Sequence, residues 1–359
     1  MVTAVIMAGG KGERFWPKSR LKLPKQFLKL TGEDTMIQST VKTINKTVDY
    51  GDIYIVTNPD YASITSNQLP EIPTENIIVE PMSKNTVVCI GLSAIYIRKR
   101  YGEDAIMIVL PSDHLIRDED EYIRILRLAI QVAKQEGNLV TIGLKPTAPE
   151  TGYGYIKIGN RVTPKGLDAV YEVESFVEKP DKKTAAKYVD SEEYLWNSGM
   201  FVWKVSTILN NIKQHMPQLY KSLERISTVM DSDQLDEVLY EEYSKLESIS
   251  IDYGVMEKAN SVYVIPGDFG WDDVGSWTAL EKIEEPDENG NIVKGNIITV
   301  DTKKCIIHGS DKRLLALLGL ENLIIVDTDD VTLICPKNKA QDIKKLLKEV
   351  KEKNLILYL

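Results

Sequence analysis

Short apolar runs alternate with longer amphipathic stretches along the first 140 residues of the chain. Four runs are almost continuously apolar, as strands covered on both faces of a sheet tend to be: Ala4–Ala8, Ile53–Thr57, Ile77–Val79 and Ala105–Leu110. Between them, three stretches read as amphipathic and predict helices: Met36–Ile44, Val87–Arg100 and Glu121–Gln135. This strand–helix order predicts an α/β fold, with an open parallel sheet and helices on both faces.

The rest of the chain predicts shorter strands and a second, smaller domain. Four strands are expected in the middle, among helices rich in acidic residues: Leu139–Leu144, Tyr155–Ile158, Val170–Val177 and Met200–Trp203. A cluster of Pro, Gly, Asn and Asp residues at Pro286–Gly295 predicts a boundary. Four further strands and an amphipathic helix are expected beyond it: Asn296–Val300, Cys305–His308, Leu323–Val326, Thr332–Cys335 and the helix around Leu347. We therefore predict two domains, residues 1–285 and a small β-rich domain with a terminal helix over residues 290–359.

Composition narrows the class of protein. The 359 residues, 43% hydrophobic and 27% charged, can bury a large core, which excludes a disordered or fibrous chain. No apolar run approaches the roughly 18 residues of a membrane span, and no signal peptide is recognisable. Cys89, Cys305 and Cys335 form neither a disulfide framework nor a metal motif. With a net charge of −9, a cytoplasmic protein that binds neither nucleic acid nor membranes is expected.

Candidate chemistry begins directly after the first strand, in the glycine loop Gly9–Arg14 (GGKGER). Glycines let backbone N–H groups approach a phosphate closely. The loop lacks the Gly-Lys-Ser/Thr of a Walker motif, and Phe15 replaces the third small residue of the dinucleotide-binding fingerprint. From Lys11 to Lys29 the chain has seven basic residues and one acid, a local excess of six positive charges. Such a run is usually a solvated edge, but next to a glycine loop it favours a polyphosphate ligand.

Two acidic segments far apart in the sequence could hold a cation. Asp113 follows a predicted strand at the carboxyl edge of the sheet, where a hard cation bridging phosphates would lie. Asp272 and Asp273 form a pair in a turn flanked by Gly and Trp residues. One carboxylate from each segment could share Mg²⁺ and leave positions for water and phosphate oxygens. A lone Asp at position 113 would more often cap the next helix.

Three further segments carry groups suited to a sugar phosphate. Gly152 belongs to a glycine turn before a strand, and Glu178 and Lys179 end another strand with an acid for hydroxyls and a cation for a phosphate. Asn197 adds an amide, which both donates and accepts hydrogen bonds. Each segment alone is more often a turn, so only their combination with the N-terminal loop is informative.

Taken together, these segments resemble one protein family. The run AGGKGERFWPKSRLKLPKQF, with LPSDH, TGYGYI, FVEKP, WNSGMF and GWDDVGSW, is similar to the sugar-nucleotide nucleotidyltransferases over about residues 1–280. PKQF, FVEKP and WNSGMF are typical of the mannose and guanosine branch, the mannose-1-phosphate guanylyltransferases. The resemblance implies a Rossmann-like, mostly parallel mixed sheet, followed from about residue 290 by a segment like a left-handed β-helix.

The resemblance also implies a role for each motif residue. The GTP phosphates would be bound by the N-terminal loop: Ala8, Gly9, Gly10 and Gly12. They would be neutralised by the two expected catalytic residues, Arg14 and Lys25. The base would be recognised by Glu80 and Asn85. Mg²⁺ would be held by Asp113, which is also expected beside the nucleotide, and by Asp273, with Asp272 as the alternative. The sugar phosphate would be bound by Gly152, Glu178, Lys179 and Asn197.

The implied reaction is the transfer of GMP from GTP to α-D-mannose 1-phosphate, which gives GDP-mannose and pyrophosphate with Mg²⁺ as cofactor. The sugar phosphate would attack the α-phosphorus in line. Such an anionic nucleophile needs no general base, in agreement with the absence of a convincing His or Ser/Cys arrangement. Exposed apolar strands in the C-terminal part favour a homodimer.

Three other functions fit parts of the pattern. The closest is a related pyrophosphorylase that uses another hexose 1-phosphate or nucleoside triphosphate, because the residues alone do not separate guanine from other bases. A non-catalytic scaffold of the same fold is disfavoured, since the lysine, the acidic residues and the glycine loop are all intact. A nicotinamide-dependent dehydrogenase is disfavoured by the missing third glycine.

Overall fold

The computed structural model describes every residue from Met1 to Leu359 and confirms the predicted α/β fold. Nine α-helices are present: α1 Met36–Ile44, α2 Pro59–Gln68, α3 Thr86–Tyr101, α4 Glu119–Ala133, α5 Lys182–Ser191, α6 Val205–His215, α7 Pro217–Val229, α8 Leu235–Lys245 and α9 Ile343–Glu352. Fifteen strands are present: β1 Val2–Met7, β2 Ile53–Thr57, β3 Ile77–Val79, β4 Ile106–Pro111, β5 Leu139–Leu144, β6 Tyr155–Arg161, β7 Tyr171–Val177, β8 Tyr194–Lys204, β9 Val262–Gly267, β10 Ile292–Lys294, β11 Ile297–Val300, β12 Ile306–His308, β13 Leu315–Leu318, β14 Leu323–Asp327 and β15 Thr332–Pro336. None of the helices combines the length and the apolar character that crossing a bilayer requires.

The chain divides into two compact units, each assembled from three segments. The first unit comprises Met1–Gly9, Val41–Ser112 and Ile116–Trp271. The second unit comprises Gly10–Thr40, Asp113–Leu115 and Asp272–Leu359. The chain therefore passes from the first unit to the second within the glycine loop, directly before Asp113, and between Trp271 and Asp272.

The first unit is built on a nine-stranded mixed sheet with the strand order β3-β2-β1-β4-β8-β5-β9-β7-β6. Strands β3, β2, β1 and β4 are parallel, whereas β8 runs antiparallel to both β4 and β5. In β1 and β4, Met7 pairs with Pro111, so the chain leaves both strands at the same edge of the sheet. This register brings Ala8 and Ser112 to one edge, where ligands of open α/β sheets bind.

Helix α3 is apolar on nearly every side because it is covered by other elements of the first unit. Its residues Val87, Ile90 and Ile95 are fully buried, together with Val5 of β1 and Trp203 of β8. The predicted helix Val87–Arg100 lies within α3, which extends one residue further at each end, but its predicted amphipathic pattern is wrong because most of the helix is buried on all sides.

One predicted strand is longer in the structure than expected. Strand β8 begins at Tyr194 rather than Met200, so the segment Trp196–Gly199, which alone resembles a turn, lies inside a strand. It is held there because β8 pairs with three neighbours, β4, β5 and β6. The pairing with β5 shifts register between Thr141 and Gly143. Such a bulge re-aims the side chains next to it, and Asn197 pairs with Gly143 directly after the shift.

The second unit contains the short strands of the C-terminal part in two sheets, β10-β12-β14-β15 and β11-β13. Parallel pairing of Ile292 with Ile306 and of Ile306 with Ile324 stacks successive turns of chain, as in a β-helix. Strand β13 was not predicted, although the run Leu314–Leu318 is continuously apolar. The long loop predicted after the glycines is present, with two single 3₁₀ turns at Glu13–Phe15 and Lys25–Phe27.

The apolar side chains of the long loop belong to the core of the second unit. Phe15 and Leu30 are buried in one cluster with Trp277, Ile324 and Leu347. The Phe15 and Trp277 rings lie 5.2 Å apart between centroids. The fold of this loop therefore depends on the C-terminal part of the chain.

Candidate active site

The glycine loop packs directly against Lys25. Gly12 has a φ of 58°, in the left-handed region that strains other residues. A Cβ atom at this position would lie 2.3 Å from the Cβ of Lys25 and 2.6 Å from its backbone nitrogen. At Gly9 and Gly10, in contrast, an added Cβ would meet no atom within 4 Å. Close packing thus requires glycine at position 12, whereas the backbone at positions 9 and 10 has open space around it.

Lys25 is buried, with 4% of its surface exposed, and its ammonium group contacts both acidic segments. The Nζ atom donates to Asp113 Oδ2 at 2.9 Å, to the Asp113 carbonyl at 2.8 Å and to the Asp273 carbonyl at 2.6 Å. Burying a charge is costly unless it is paired and hydrogen-bonded, and these three acceptors satisfy that requirement. The structure thus brings together Lys25, Asp113 and Asp273, three residues that lie far apart in the sequence.

The electrostatic surroundings keep Asp113 ionised. Burial by itself raises the pKa of this carboxyl group, but the nearby positive charges of Lys25, His114 and Arg14 together outweigh burial and hold the pKa below its usual value. Asp113 does not cap a helix, because the N-cap of α4 is Asp118, whose side chain accepts from the backbone N–H of Glu121. The capping alternative for Asp113 is therefore wrong.

Asp272 and Asp273 have different surroundings. The Asp272 Oδ1 atom accepts from the backbone N–H of Val274 at 2.7 Å, and its backbone pairs with Leu115 through two hydrogen bonds. Asp272 thus stabilises the turn through its side chain, whereas Asp273 contacts Lys25 through its backbone carbonyl. No group of three or more His, Cys, Asp or Glu side chains that could hold a metal ion occurs in the chain. A cation held by Asp113 and Asp273 would therefore need oxygens from a bound ligand to complete its coordination.

The basic run after the glycines has two environments. Lys11, Lys22 and Lys29 are exposed, as in a solvated edge. Three other basic side chains contact the C-terminal part of the second unit: Arg14 donates to Gln341 Oε1 (3.2 Å), Lys18 to His308 Nδ1 (3.0 Å) and Arg20 to Asp330 Oδ1 (2.7 Å). Much of the basic run therefore stabilises the fold of the unit, a role that sequence analysis did not assign to it.

A polar cluster in the first unit contains two of the predicted sugar ligands. The Asn197 side chain donates to Asp252 Oδ1 at 2.7 Å and accepts from the backbone N–H of Gly199 at 3.1 Å. A Cβ at Gly154 would lie 3.0 Å from Glu178 Oε2 and 3.4 Å from the Asn197 Cβ, so glycine leaves the space that these side chains occupy. The cluster therefore combines fixed donors and acceptors on three different elements.

An open cleft with a volume of about 700 Å³ adjoins this cluster in the first unit. Its wall includes two acids, two lysines, an amide and an aromatic ring: Glu178, Asp252, Lys179, Lys258, Asn85 and Tyr253. The Lys179 ammonium lies 3.3 Å from Glu178 Oε1, and 63% of the Lys179 side chain is exposed. Gly152, the remaining predicted sugar ligand, is exposed in a loop. Mixed acids, amides and cations in one cleft suit a ligand that has both hydroxyl groups and an anionic group.

Three predicted nucleotide ligands also lie in the first unit. Ala8 is buried directly after β1, and its carbonyl accepts from the Thr57 hydroxyl at 3.2 Å. Glu80 is 7% exposed and accepts from the Tyr243 hydroxyl at 3.1 Å; burial raises its pKa to about 7, although this hydrogen bond lowers it. Asn85 is exposed at the N-cap of α3. Glu80 and Asn85 share no hydrogen bond, so the structure does not join them into one recognition element.

Sequence analysis missed Asp252 and Tyr243. Asp252 contacts Asn197, which is 55 positions away, and Tyr243 contacts Glu80, which is 163 positions away. The segment Ile251–Gly254 contained one available signal, an acid followed by an aromatic residue and a glycine within an otherwise apolar stretch. The structure forms a π-helical turn at Asp252–Met256, a feature that is frequent at functional sites.

Two sequence-family models match the chain. The Nucleotidyl transferase model matches residues 3–290. The MannoseP isomerase/GMP-like beta-helix domain model matches residues 295–350.

Similar proteins support the same assignment. The mannose-1-phosphate guanylyltransferase of Salmonella montevideo is 39% identical over 362 residues, which cover 99% of this chain and 75% of that protein. The alginate biosynthesis protein AlgA of Pseudomonas putida is 39% identical over 360 residues, which cover 98% and 72%. The crystal structure of a protein from Thermus thermophilus, described as mannose-1-phosphate geranyltransferase, has a TM-score of 0.87 at 34% identity and covers 98% of this chain and 99% of that chain. The chain therefore belongs to the nucleotidyl transferase family and, within it, to the mannose-1-phosphate guanylyltransferases.

Proposed function

We propose that the protein transfers GMP from GTP to α-D-mannose 1-phosphate and thereby forms GDP-mannose and pyrophosphate. The observation that carries this proposal is Lys25, whose backbone and Cβ pack against Gly12 and whose buried ammonium contacts both acidic segments. The relatives named mannose-1-phosphate guanylyltransferase support the choice of nucleotide and sugar. In the reaction, an oxygen of the sugar phosphate forms a bond to the α-phosphorus of GTP. The bond from that phosphorus to the bridging oxygen breaks, and pyrophosphate leaves with the electron pair.

The main obstacle to this reaction is repulsion between two polyanions. Two unit charges about 4 Å apart repel by roughly 4 kcal/mol at an effective dielectric constant near 20, and several such pairs meet here. Lys25 and Arg14 would offset this repulsion with positive charge, and the open backbone at Gly9 and Gly10 would donate N–H groups to phosphate oxygens. Arg14 donates a hydrogen bond to the neutral Gln341 side chain, so this hydrogen bond does not cancel its charge.

The residues around Lys25 fit Mg²⁺ as a cofactor. Lys25 contacts the Asp113 carboxylate, which is ionised, and the backbone carbonyl of Asp273, while the carboxylate of Asp272 is engaged in its turn. Mg²⁺ prefers one or two protein carboxylates together with phosphate oxygens and water, and this donor set matches that preference. When bound, the ion would neutralise phosphate charge. We assign its ligands as Asp113 and Asp273.

We assign the sugar phosphate to the cleft of the first unit. Glu178 would accept hydrogen bonds from sugar hydroxyls and Lys179 would bind the phosphate, since both line the cleft. Asn197 and Gly152 would complete this site. We assign the base to Glu80, whose carboxylate can accept from the two neighbouring N–H donors of guanine, and to Asn85.

We also propose a homodimer and two functional domains, residues 1–285 for catalysis and residues 290–359 for the smaller β-rich part. Apolar side chains on the paired strands β11 and β13 support the dimer, since Ile298 is 53% exposed and Leu318 is 71% exposed. Apolar patches of this kind often mark protein contacts. Light scattering after size-exclusion chromatography would show twice the chain mass, and a single-chain mass would contradict the dimer.

A pyrophosphate-release assay tests the proposed reaction. The protein is combined with four nucleoside triphosphates and several hexose 1-phosphates in a grid, with and without Mg²⁺. We expect the highest kcat/KM for GTP with mannose 1-phosphate and dependence on Mg²⁺. A higher kcat/KM for another pair would indicate a related pyrophosphorylase, and no release with any pair would contradict the proposed chemistry.

A further inference from the structure

We propose that Asp252 is a further specificity-determining residue, which together with Asn197 recognises two neighbouring hydroxyl groups of the hexose 1-phosphate. This inference rests on the proposed function and extends it to a residue outside the family motifs quoted above. It assigns the discrimination between hexose epimers to a defined pair of side chains on the wall of the cleft.

The first argument is that the hydrogen bonds of this pair fix its orientation. The Asn197 side chain accepts from the backbone N–H of Gly199 at 3.1 Å and donates to Asp252 Oδ1 at 2.7 Å. Because both ends of the amide are engaged, the amide plane cannot rotate without losing a hydrogen bond. The second N–H of Asn197 and the second oxygen of Asp252 form no hydrogen bond with another residue. They are therefore available to a ligand as one donor and one acceptor, held on adjacent side chains.

The second argument is chemical complementarity to a diol. A hydroxyl group both donates and accepts hydrogen bonds, so two neighbouring hydroxyls can bind a fixed donor and a fixed acceptor at the same time. Hexoses that are epimers differ in the direction of one hydroxyl, and a rigid pair can fit only one of the two arrangements. Glu178 supplies another acceptor on the same cleft wall, and Lys179 and Lys258 supply cations for the phosphate. Asp252 thus lies among groups that suit a sugar phosphate and not an uncharged ligand.

The third argument concerns the cost of placing a carboxylate here. Burial raises the pKa of Asp252, and the negative charge of Glu178 raises it further, whereas the hydrogen bond from Asn197 lowers it. Burying part of a carboxylate next to a second carboxylate is unfavourable for the free energy of folding. A neutral amide could accept the same hydrogen bond from Asn197 without that cost. The charge itself is thus better explained by a ligand than by the fold.

The test compares Asp252→Asn with a matched control in the wild-type chain. Asparagine keeps the size of the side chain and can still accept from Asn197, but it offers the ligand an N–H donor in place of an acceptor. Glu257→Gln is the control, because Glu257 is exposed, belongs to the next turn and has a charge that interacts with Asp252, but it does not line the cleft. For each protein, KM and kcat are measured with GTP and with mannose 1-phosphate and glucose 1-phosphate.

We expect Asp252→Asn to raise KM for mannose 1-phosphate about ten- to a hundredfold, the usual range for losing a hydrogen bond to a charged group. KM for GTP should stay within about twofold, the preference for mannose over glucose should fall, and Glu257→Gln should match wild type. Equal effects of both variants would show that the change comes from local charge, and this result would overturn the inference. An unchanged KM for the sugar phosphate in Asp252→Asn would also overturn it. If wild type prefers another hexose 1-phosphate, the proposed function fails, and the same variants test Asp252 with that sugar.

Discussion

Replacing Lys25 by methionine would separate the proposed catalytic role of this residue from its structural role. Methionine keeps a long, unbranched apolar stem and removes the ammonium group. The change deletes three hydrogen bonds, one to the Asp113 carboxylate and two to the backbone carbonyls of Asp113 and Asp273. The packing of the stem against Gly12 is largely retained, since that contact involves the backbone and Cβ of Lys25.

The structure gives different magnitudes for the two roles. Breaking a fully buried ion pair costs roughly 3 to 5 kcal/mol of folding free energy. Here 37% of the Asp113 side chain is exposed, so water can replace the ammonium and we expect a loss of about 1 to 3 kcal/mol. Removing a fixed group that stabilises charge in the transition state costs about 3 to 4 kcal/mol, which lowers kcat about a hundred- to a thousandfold. The catalytic loss should therefore exceed the loss of stability.

The assay combines steady-state pyrophosphate release at saturating substrates with denaturant unfolding of the same samples. Lys29→Met is the matched control, because Lys29 belongs to the same basic run but is exposed. We expect the control to keep kcat within about twofold and wild-type stability. If Lys25→Met retains full kcat while it remains folded, or loses activity only in proportion to its unfolded fraction, Lys25 has no catalytic role and the proposed site is wrong.

Three further predictions follow from the geometry of other residues. Gly12→Ala should lower both stability and activity, because a φ of 58° strains alanine and the new Cβ would lie 2.3 Å from the Lys25 Cβ. Thermal melting measures the loss of stability and kcat the loss of activity. A melting temperature equal to that of the wild type would contradict the close contact between Gly12 and Lys25. Burial raises the pKa of Glu80 from an ordinary 4.5 to about 7, so between these pH values the folded state keeps a proton that the unfolded state releases, and the stability of the wild type should fall as pH rises. Unfolding titrations at several pH values should show that Glu80→Gln lacks this part of the pH dependence. An unchanged slope in the variant would show that Glu80 does not titrate in this range. Asp273→Asn should weaken the response of kcat to Mg²⁺, measured by Mg²⁺ titration. Asp272→Asn should mainly lower the melting temperature, because the Asp272 carboxylate accepts a hydrogen bond from the Val274 N–H. The reverse pattern would show that Asp272, and not Asp273, is the metal ligand.

The sequence was sufficient to predict the elements whose structure depends on local pattern. The buried parallel strands and helix α3 are apolar over several consecutive residues. The glycines after β1 predict a loop from the local sequence alone. These features need no knowledge of distant contacts. The α/β fold and the location of the glycine loop were therefore predictable.

Contacts between distant segments were not predictable by the same reasoning. Nothing near Asn197 indicates that Asp252 fixes its amide, and nothing in the basic run indicates that Arg20 contacts Asp330 across 310 positions. The strand around Asn197 was missed for a related reason, since its pairing with three neighbouring strands outweighs the turn preference of Asn, Ser and Gly.

The acceptors of Lys25 are compatible with the proposed catalytic role, because they fix the ammonium group without cancelling its charge. Two of its three acceptors are backbone carbonyls, which are neutral, and only Asp113 contributes a negative charge. In the proposed reaction, a phosphate would compete with Asp113 for the ammonium but not with the neutral carbonyls, so the carbonyls would keep the ammonium in position whichever anion it pairs with. A lysine surrounded by two or three carboxylates would be held as firmly, but its charge would be cancelled. Holding the ammonium through carbonyl oxygens therefore satisfies burial and preserves the positive charge for the reaction.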